Sequence, residues 1–201
     1  VLDSGPLEVG DAARIGADVA AGLDHIHSRG LVHRDVKPAN VMVRPDGAAV
    51  VLDLGLAYAP SEPLLNDPAV VGGRGYAVGT MDYIAPEQAR HATAVGPAAD
   101  LYGLGCALVF ALTGRVPFPA RTTQEKLARH RSDPPPPLDV PPVFRGVVYR
   151  LMAKDPAERP RSAAEARDLL AAWATAAQPR SAVDAVALAD DPHGDAGLWD
   201  A

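Results

Sequence analysis

The residues with the types and spacing for chemistry lie close together: His33, Arg34, Asp35, Lys37 and Asn40 in the stretch LVHRDVKPANVMV, with Asp53 and Gly55 a little downstream. Apolar residues bracket them. Leu31 and Val32 read as a short strand entering the loop, Val41 to Val43 as a strand leaving it, and Val50 to Leu52 as a third run that delivers Asp53-Leu54-Gly55. A loop this dense in charge, held between buried strands, is where function is usually carried. The types suit one kind of work. Asp35 can accept a proton, Lys37 can face negative charge, and Asn40 and Asp53 offer the oxygen donors that a hard cation prefers.

Several elements must position that loop. Ile15, Val19, Leu23 and Ile26 recur at helical spacing, so a helix is predicted from Asp11, as N-cap, to about Arg29, with Gly30 ending it. His25 and His27, near its end, read as packing or dipole-compensating residues. Arg44-Pro45-Asp46-Gly47 is turn chemistry between two apolar runs, which predicts a hairpin of Val41 to Val43 with Val50 to Leu52 and brings Asn40 and Asp53 together. Leu56 to Tyr83 shows neither helix nor strand periodicity. DLYGLGCALVFALT, Asp100 to Thr113, is apolar nearly all round and predicts a helix buried in the middle of a domain, with Tyr102, Cys106 and Phe110 as core and Asp100 as a cap that also holds loop backbone. Gln124 to Arg131 reads as a short polar helix, Pro134 to Pro137 as a rigid extended connector, and Val143 to Ala153 and Ser162 to Trp173 as amphipathic helices, the last opened by a Ser162/Glu165 capping box.

Composition narrows the classes. The chain has 201 residues, 48% of them apolar, enough for a core and best read as one domain. Net charge is −6 with no dense basic block, which argues against nucleic acid as partner. The single cysteine, Cys106, cannot form an internal disulfide and fits a reducing, cytoplasmic setting. No apolar run is long enough for a bilayer span. A start at Val1 suggests a fragment of a longer protein, in which a membrane anchor could lie elsewhere.

His33-Arg34-Asp35, Lys37, Asn40 and Asp53-Leu54-Gly55 resemble, at matching relative spacings, the catalytic loop and metal-binding turn of the eukaryotic-type (Hanks-type) serine/threonine protein kinases that bacteria also carry. The resemblance continues through Gly79-Thr80 and Ala85-Pro86-Glu87, the close of an activation segment, the central helix, and Asp155 to Pro160, whose Arg159 it pairs with Glu87. It implies an α+β, predominantly α-helical fold: the C-terminal lobe of a kinase domain over residues 1–175, with a small β-hairpin carrying the catalytic and metal-binding loops, then a flexible tail over 176–201. It implies ATP and Mg2+, with Asp35, Lys37, Asn40 and Thr80 as catalytic residues, Lys37, Ala39, Asn40, Met42 and Asp53 on the nucleotide side, and Asn40 and Asp53 as magnesium ligands. Leu54 stands where the family more often has phenylalanine, an apolar exchange that keeps the packing role.

The implied function is transfer of the ATP γ-phosphate to serine or threonine of a protein substrate. No glycine-rich phosphate loop, strand lysine or partner glutamate precedes Asp11, so the N-terminal lobe is expected outside this chain and the fragment alone is expected to be inactive. The glycines of Gly73-x-Gly75-x-x-x-Gly79 do not have the spacing of such a loop. A non-catalytic kinase-like scaffold and a small-molecule phosphotransferase are the alternatives. Ser61 is the only serine or threonine between Leu56 and Gly79, so little dependence on activation-segment phosphorylation is expected, with Arg34 paired to Glu62, Asp67 or backbone carbonyls.

Overall fold

The computed structural model describes residues 5–53, 80–89 and 95–174. Leu54 to Gly79, with Ser61, Glu62, Asp67 and the glycines Gly73, Gly75 and Gly79, and the tail from residue 175 lie outside the described residues. The described part is a mostly helical α+β structure.

Helix α1 (Val9–His27) buries a stripe of small and branched residues, among them Ala13, Gly16, Val19, Ala20 and Leu23. It starts before Asp11. Glu8 holds the N-cap position without a side-chain bond, and Asp11 sits in the first turn, 3.4 Å from Arg14. Tertiary contact sets the entry instead: Leu7 N–H donates to the carbonyl of Ala111 at 2.7 Å, fixing the approach to the central helix.

The hairpin forms as the turn chemistry predicts. Strands β1 (Val41–Val43) and β2 (Ala49–Val51) pair antiparallel, with Val41 opposite Val51, Met42 opposite Val50 and Val43 opposite Ala49. The second strand begins one residue earlier than expected, and Leu52 still donates to the Asn40 carbonyl at 2.8 Å. Gly47, at φ 85°, closes the turn with its N–H on the Arg44 carbonyl at 2.8 Å. Helix α1 grips the hairpin from below: Asp18 accepts from Ala49 N–H at 2.8 Å, and the Arg14 guanidinium donates to the Gly47 carbonyl. Leu31 and Val32 are not part of this sheet, which has two strands among the described residues.

Helix α2 (Pro97–Thr113) is the buried centre. Pro97 opens it at the position where a missing N–H costs nothing, and Gly96 is the N-cap, so Asp100 lies a turn inside rather than at the cap. Its glycines permit close packing on both sides. A Cβ on Gly103 would sit 2.9 Å from the Val36 carbonyl, and one on Gly105 would sit 2.7 Å from Met152 Cγ. The loop bearing Asp35 and the end of a later helix thus lie directly on the α2 backbone.

Three further helices complete the body: α3 (Thr123–Ser132), α4 (Pro142–Leu151) and α5 (Ala163–Ala171). Thr122 caps α3 by accepting from Glu125 N–H, and Ser162 caps α5 by accepting from Glu165 N–H. The expected capping box is altered, because the Glu165 carboxylate takes the N–H of Arg161, one residue further out, at 2.7 Å. That contact and Arg150 hold the Glu165 carboxyl below the usual carboxylate range. Helix α1 packs mainly on α5 and α2, and Leu23, Leu104, Leu108, Phe144, Val148 and Leu170 form the common core. Burying side chains of this size stabilises by about 1.5–3 kcal/mol each. No helix among the described residues is long and apolar enough to cross a membrane.

Candidate functional site

The loop between α1 and β1 is held by its own side chains and by α2. Arg34 adopts φ 69°, a left-handed conformation that costs a residue with a Cβ about 1–2 kcal/mol and that the surroundings must enforce. The enforcing group is Asp100, whose carboxylate, 1% exposed, accepts from the N–H of His33 at 2.8 Å and of Arg34 at 2.7 Å. The reading of Asp100 as a holder of loop backbone is correct; its reading as a cap is not. His27 Nε2, in the last turn of α1, donates to the same carboxylate at 2.7 Å and so also serves this network.

His33 is fully buried and ties the loop to the hairpin. Its Nε2 lies 3.0 Å from the Leu52 carbonyl, and its Nδ1 accepts from Asp35 N–H at 3.3 Å. One tautomer, with the proton on Nε2, satisfies both contacts. The residue after Leu52 is Asp53, exposed and also left-handed at φ 62°.

Asp35 projects from this braced backbone. Lys37 Nζ lies 2.6 Å from its Oδ2, and Asn40 Nδ2 donates to the same oxygen at 3.0 Å and to the Asp35 carbonyl at 2.8 Å. The carboxylate is nearly buried, its side chain 9% exposed. With the Asn40 nitrogen committed to Asp35, its carbonyl oxygen is the end that can face a cation. The turn Pro38–Asn40 and the Leu52-to-Asn40 bond set Asn40 beside the base of Asp53, so both oxygen donors leave one hairpin.

Asp35, Lys37 and Asn40 therefore meet directly, and Asp53 follows Leu52, whose N–H bonds the Asn40 carbonyl. Ala39 and Met42 share a different surface. With Val41, Leu52, Ile15 and Leu108 they line an apolar cavity of about 500 Å³, into which Met42, 46% exposed, opens. Thr80 begins the turn Thr80–Asp82, and its side chain lies outside the described residues.

Beneath the site, Arg159 is clamped as the sequence led us to expect. Its guanidinium meets Glu87 with two bonds, of 2.6 and 2.8 Å, while Nε–H donates to the Ala153 carbonyl and a terminal nitrogen to that of Ala98. It also lies over the Tyr102 ring, 5.0 Å from the centroid. Tyr102 leads to a cluster the sequence did not announce. Its hydroxyl accepts from Lys154 Nζ at 3.2 Å and contacts His130 Nδ1 at 3.0 Å, while Lys154 also donates to the His130 carbonyl and lies 4.3 Å from the Phe118 centroid. Burial, then the Lys154 charge, pushes His130 down to about 4. Burial likewise pushes Lys154 down to about 8 and raises the Cys106 thiol and the Tyr102 phenol.

Asp82, in the turn that follows Gly79, meets Lys126 of α3 at 2.5 Å. The contact is one of charge; the same oxygen makes no well-aligned hydrogen bond. Among the described residues no group of three or more histidine, cysteine, aspartate or glutamate side chains is arranged to hold a metal. Asn40 and Asp53 each offer an oxygen donor of the kind a hard cation takes.

Comparison with known proteins shows the family. The profile of the protein kinase domain matches residues 2–171. The serine/threonine-protein kinase PknD of Mycobacterium tuberculosis is 40% identical over 167 residues, covering 80% of this chain and 24% of that protein. The probable serine/threonine-protein kinase PkwA of Thermomonospora curvata is 39% identical over 163 residues (81% and 21%), and PknB of Mycolicibacterium smegmatis 39% over 172 (83% and 27%). The chain spans about a quarter of the length of these relatives. With a domain profile matched over residues 2–171 and relatives near 40% identity, the chain belongs to the protein kinase family, in the serine/threonine branch found in bacteria.

Proposed function

We propose that this chain is the C-terminal, substrate-side lobe of a kinase that transfers the ATP γ-phosphate to serine or threonine hydroxyls of protein substrates. The observation that carries the reading is the Asp35–Lys37–Asn40 cluster on a loop braced from below by Asp100. Phosphoryl transfer asks a protein mainly to position reactants and to neutralise spreading negative charge. Asp35 orients the attacking hydroxyl and takes its proton as the oxygen bonds to the γ-phosphorus and the bond to the departing ADP oxygen breaks. Lys37, beside the same carboxylate, faces the transferred phosphate, and the family resemblance assigns the Thr80 hydroxyl to the same two residues.

Asn40 and Asp53 suit magnesium, which takes oxygen donors, keeps several waters and accepts few protein ligands. When bound, that ion supplies positive charge against the nucleotide phosphates. Met42 and Ala39 form the apolar floor for the adenine. No glycine-rich phosphate loop or strand lysine precedes Asp11 in these 201 residues, so phosphorylation by the chain alone is not expected. A scaffold without catalysis has no use for a lysine and an amide both committed to one carboxylate, which weighs against that alternative.

The test is a comparison of full-length protein with its Asp35→Asn variant, using nucleotide and a generic protein substrate. Wild type should label serine or threonine, and the variant should lose about three or more orders of magnitude in turnover with little change in nucleotide affinity. Near-normal transfer by Asp35→Asn would exclude Asp35 as base.

A further inference from the structure

The peptide that joins Arg34 to Asp35 is held at both ends by groups outside its own loop backbone. Its N–H, on Asp35, points to His33 Nδ1 at 3.3 Å. Its carbonyl, on Arg34, accepts from Gln88 Nε2 at 3.0 Å. Gln88 is 9% exposed and lies just after Ala85-Pro86-Glu87, 54 residues from Arg34 in sequence. Its other end is fixed too, because Oε1 accepts from Ala85 N–H at 3.0 Å. The two bonds require an oxygen toward Ala85 and an NH2 toward Arg34, so the amide has one orientation.

Arg34 needs such help. At φ 69° it sits in a conformation that a residue with a Cβ leaves unless the backbone is held on both sides. Asp100 holds its N–H, and Gln88 holds its carbonyl. Without Gln88 the carbonyl would be buried and unpaired, and the easiest relief is rotation of the Arg34–Asp35 peptide plane, which swings the Asp35 side chain.

We propose that Gln88 is a positioning residue for phosphoryl transfer, fixing the peptide plane from which Asp35 projects and thereby coupling the Ala85-Pro86-Glu87 turn to the base. The proposal rests on the kinase reading above. Gln88 touches neither substrate nor nucleotide; it acts through Arg34.

Two variants of the full-length enzyme separate this role from general support. Gln88→Met keeps the size and loses both bonds, whereas Gln88→Glu keeps the acceptor for Ala85 and loses the donor until its carboxyl is protonated. Both should lower kcat by about tenfold or more at neutral pH while KM for nucleotide and for peptide stays within about twofold. As pH falls, kcat of Gln88→Glu relative to wild type should recover, since the protonated acid can donate to the Arg34 carbonyl; the ratio for Gln88→Met should stay flat. Parallel pH behaviour of the two variants, or kcat within about twofold of wild type, would overturn the proposal. Hydrogen exchange at the Asp35 amide gives a readout independent of activity: it should quicken by about tenfold in both variants with α5 amides unchanged. If wild type shows no transfer, the kinase reading fails, and the exchange result alone decides whether Gln88 holds this peptide; unaltered exchange would show that it does not.

Discussion

Arg159 and Glu87, 72 residues apart, share two hydrogen bonds of 2.6 and 2.8 Å, and the guanidinium is wholly enclosed while the carboxylate keeps a side open to solvent. Paired fork-to-carboxylate geometry is the strong form of an ion pair. Its value here is mostly in what its loss would leave behind. Arg159 also satisfies the carbonyls of Ala153 and Ala98, so the guanidinium stitches the α4–α5 connection to the start of α2 and to the segment that ends at Glu87.

Arg159→Leu should therefore destabilise the fold by about 3–5 kcal/mol, since one carboxylate and two carbonyls lose their donor together. Glu87→Gln should cost less, because the carboxylate is partly exposed and an amide can still accept one of the two bonds. Urea unfolding of both variants checks the order. A smaller loss for Arg159→Leu than for Glu87→Gln would contradict it.

How far the sequence disclosed this structure depended on the separation between partners. Asp35, Lys37 and Asn40 lie within six positions, so their meeting was legible from spacing, and the hairpin followed from the Arg44 to Gly47 turn. The Glu87–Arg159 pair was legible only through family resemblance, because nothing local joins the two. Gln88 with Arg34 and His130 with Tyr102 were missed for the same reason: each polar side chain sits in an unremarkable local pattern and finds its partner on another element. The bond from His27 to Asp100, 73 residues on, leaves no mark on the local helix-end pattern. Both helix starts were misplaced where a tertiary bond or a proline, rather than an acidic cap, set the boundary.

His130 gives a pH prediction. Its folded value is lowered from 6.5 to about 4, so between those values the unfolded chain binds a proton that the folded chain refuses. Stability should then be fully present above about pH 6.5 and fall as pH drops toward 4, by on the order of 3 kcal/mol from this group. Carboxylates titrate in the same range. The readout is therefore the difference between wild type and His130→Gln in unfolding free energy across pH 4 to 7: it should shrink on acidification, and a difference independent of pH would show that His130 is not held neutral.

Asp53 and magnesium give a binding prediction. Asp53 is left-handed, a conformation asparagine tolerates well, so Asp53→Asn removes charge with little backbone penalty, whereas Asp53→Ala adds strain. In full-length protein Asp53→Asn should weaken nucleotide binding in the presence of Mg2+ by about tenfold or more, or about 1.4 kcal/mol. Without Mg2+ the variant and wild type should bind nucleotide alike. A loss of turnover with magnesium-dependent affinity intact would remove Asp53 from the ligand set.

The last prediction concerns control. Arg34 adjoins the proposed base, and an arginine there can order a neighbouring segment by binding a phosphate introduced into it. The segment from Leu56 to Gly79 offers one serine or threonine, Ser61, flanked by Pro60, Glu62 and Pro63 and lying soon after Asp53. Thr80 is a poor alternative, since the family resemblance assigns its hydroxyl to the base and Lys37, and a phosphate there would occupy the substrate's place. Meanwhile the backbone of Arg34 is already held by Asp100 and Gln88, so the loop does not need a phosphate to take its shape. Phosphatase treatment of full-length enzyme should thus leave activity within about twofold of its starting value, with mass mapping of residues 54 to 87 as the companion measurement. A large loss that tracks one phosphosite in that window would place control in the activation segment after all.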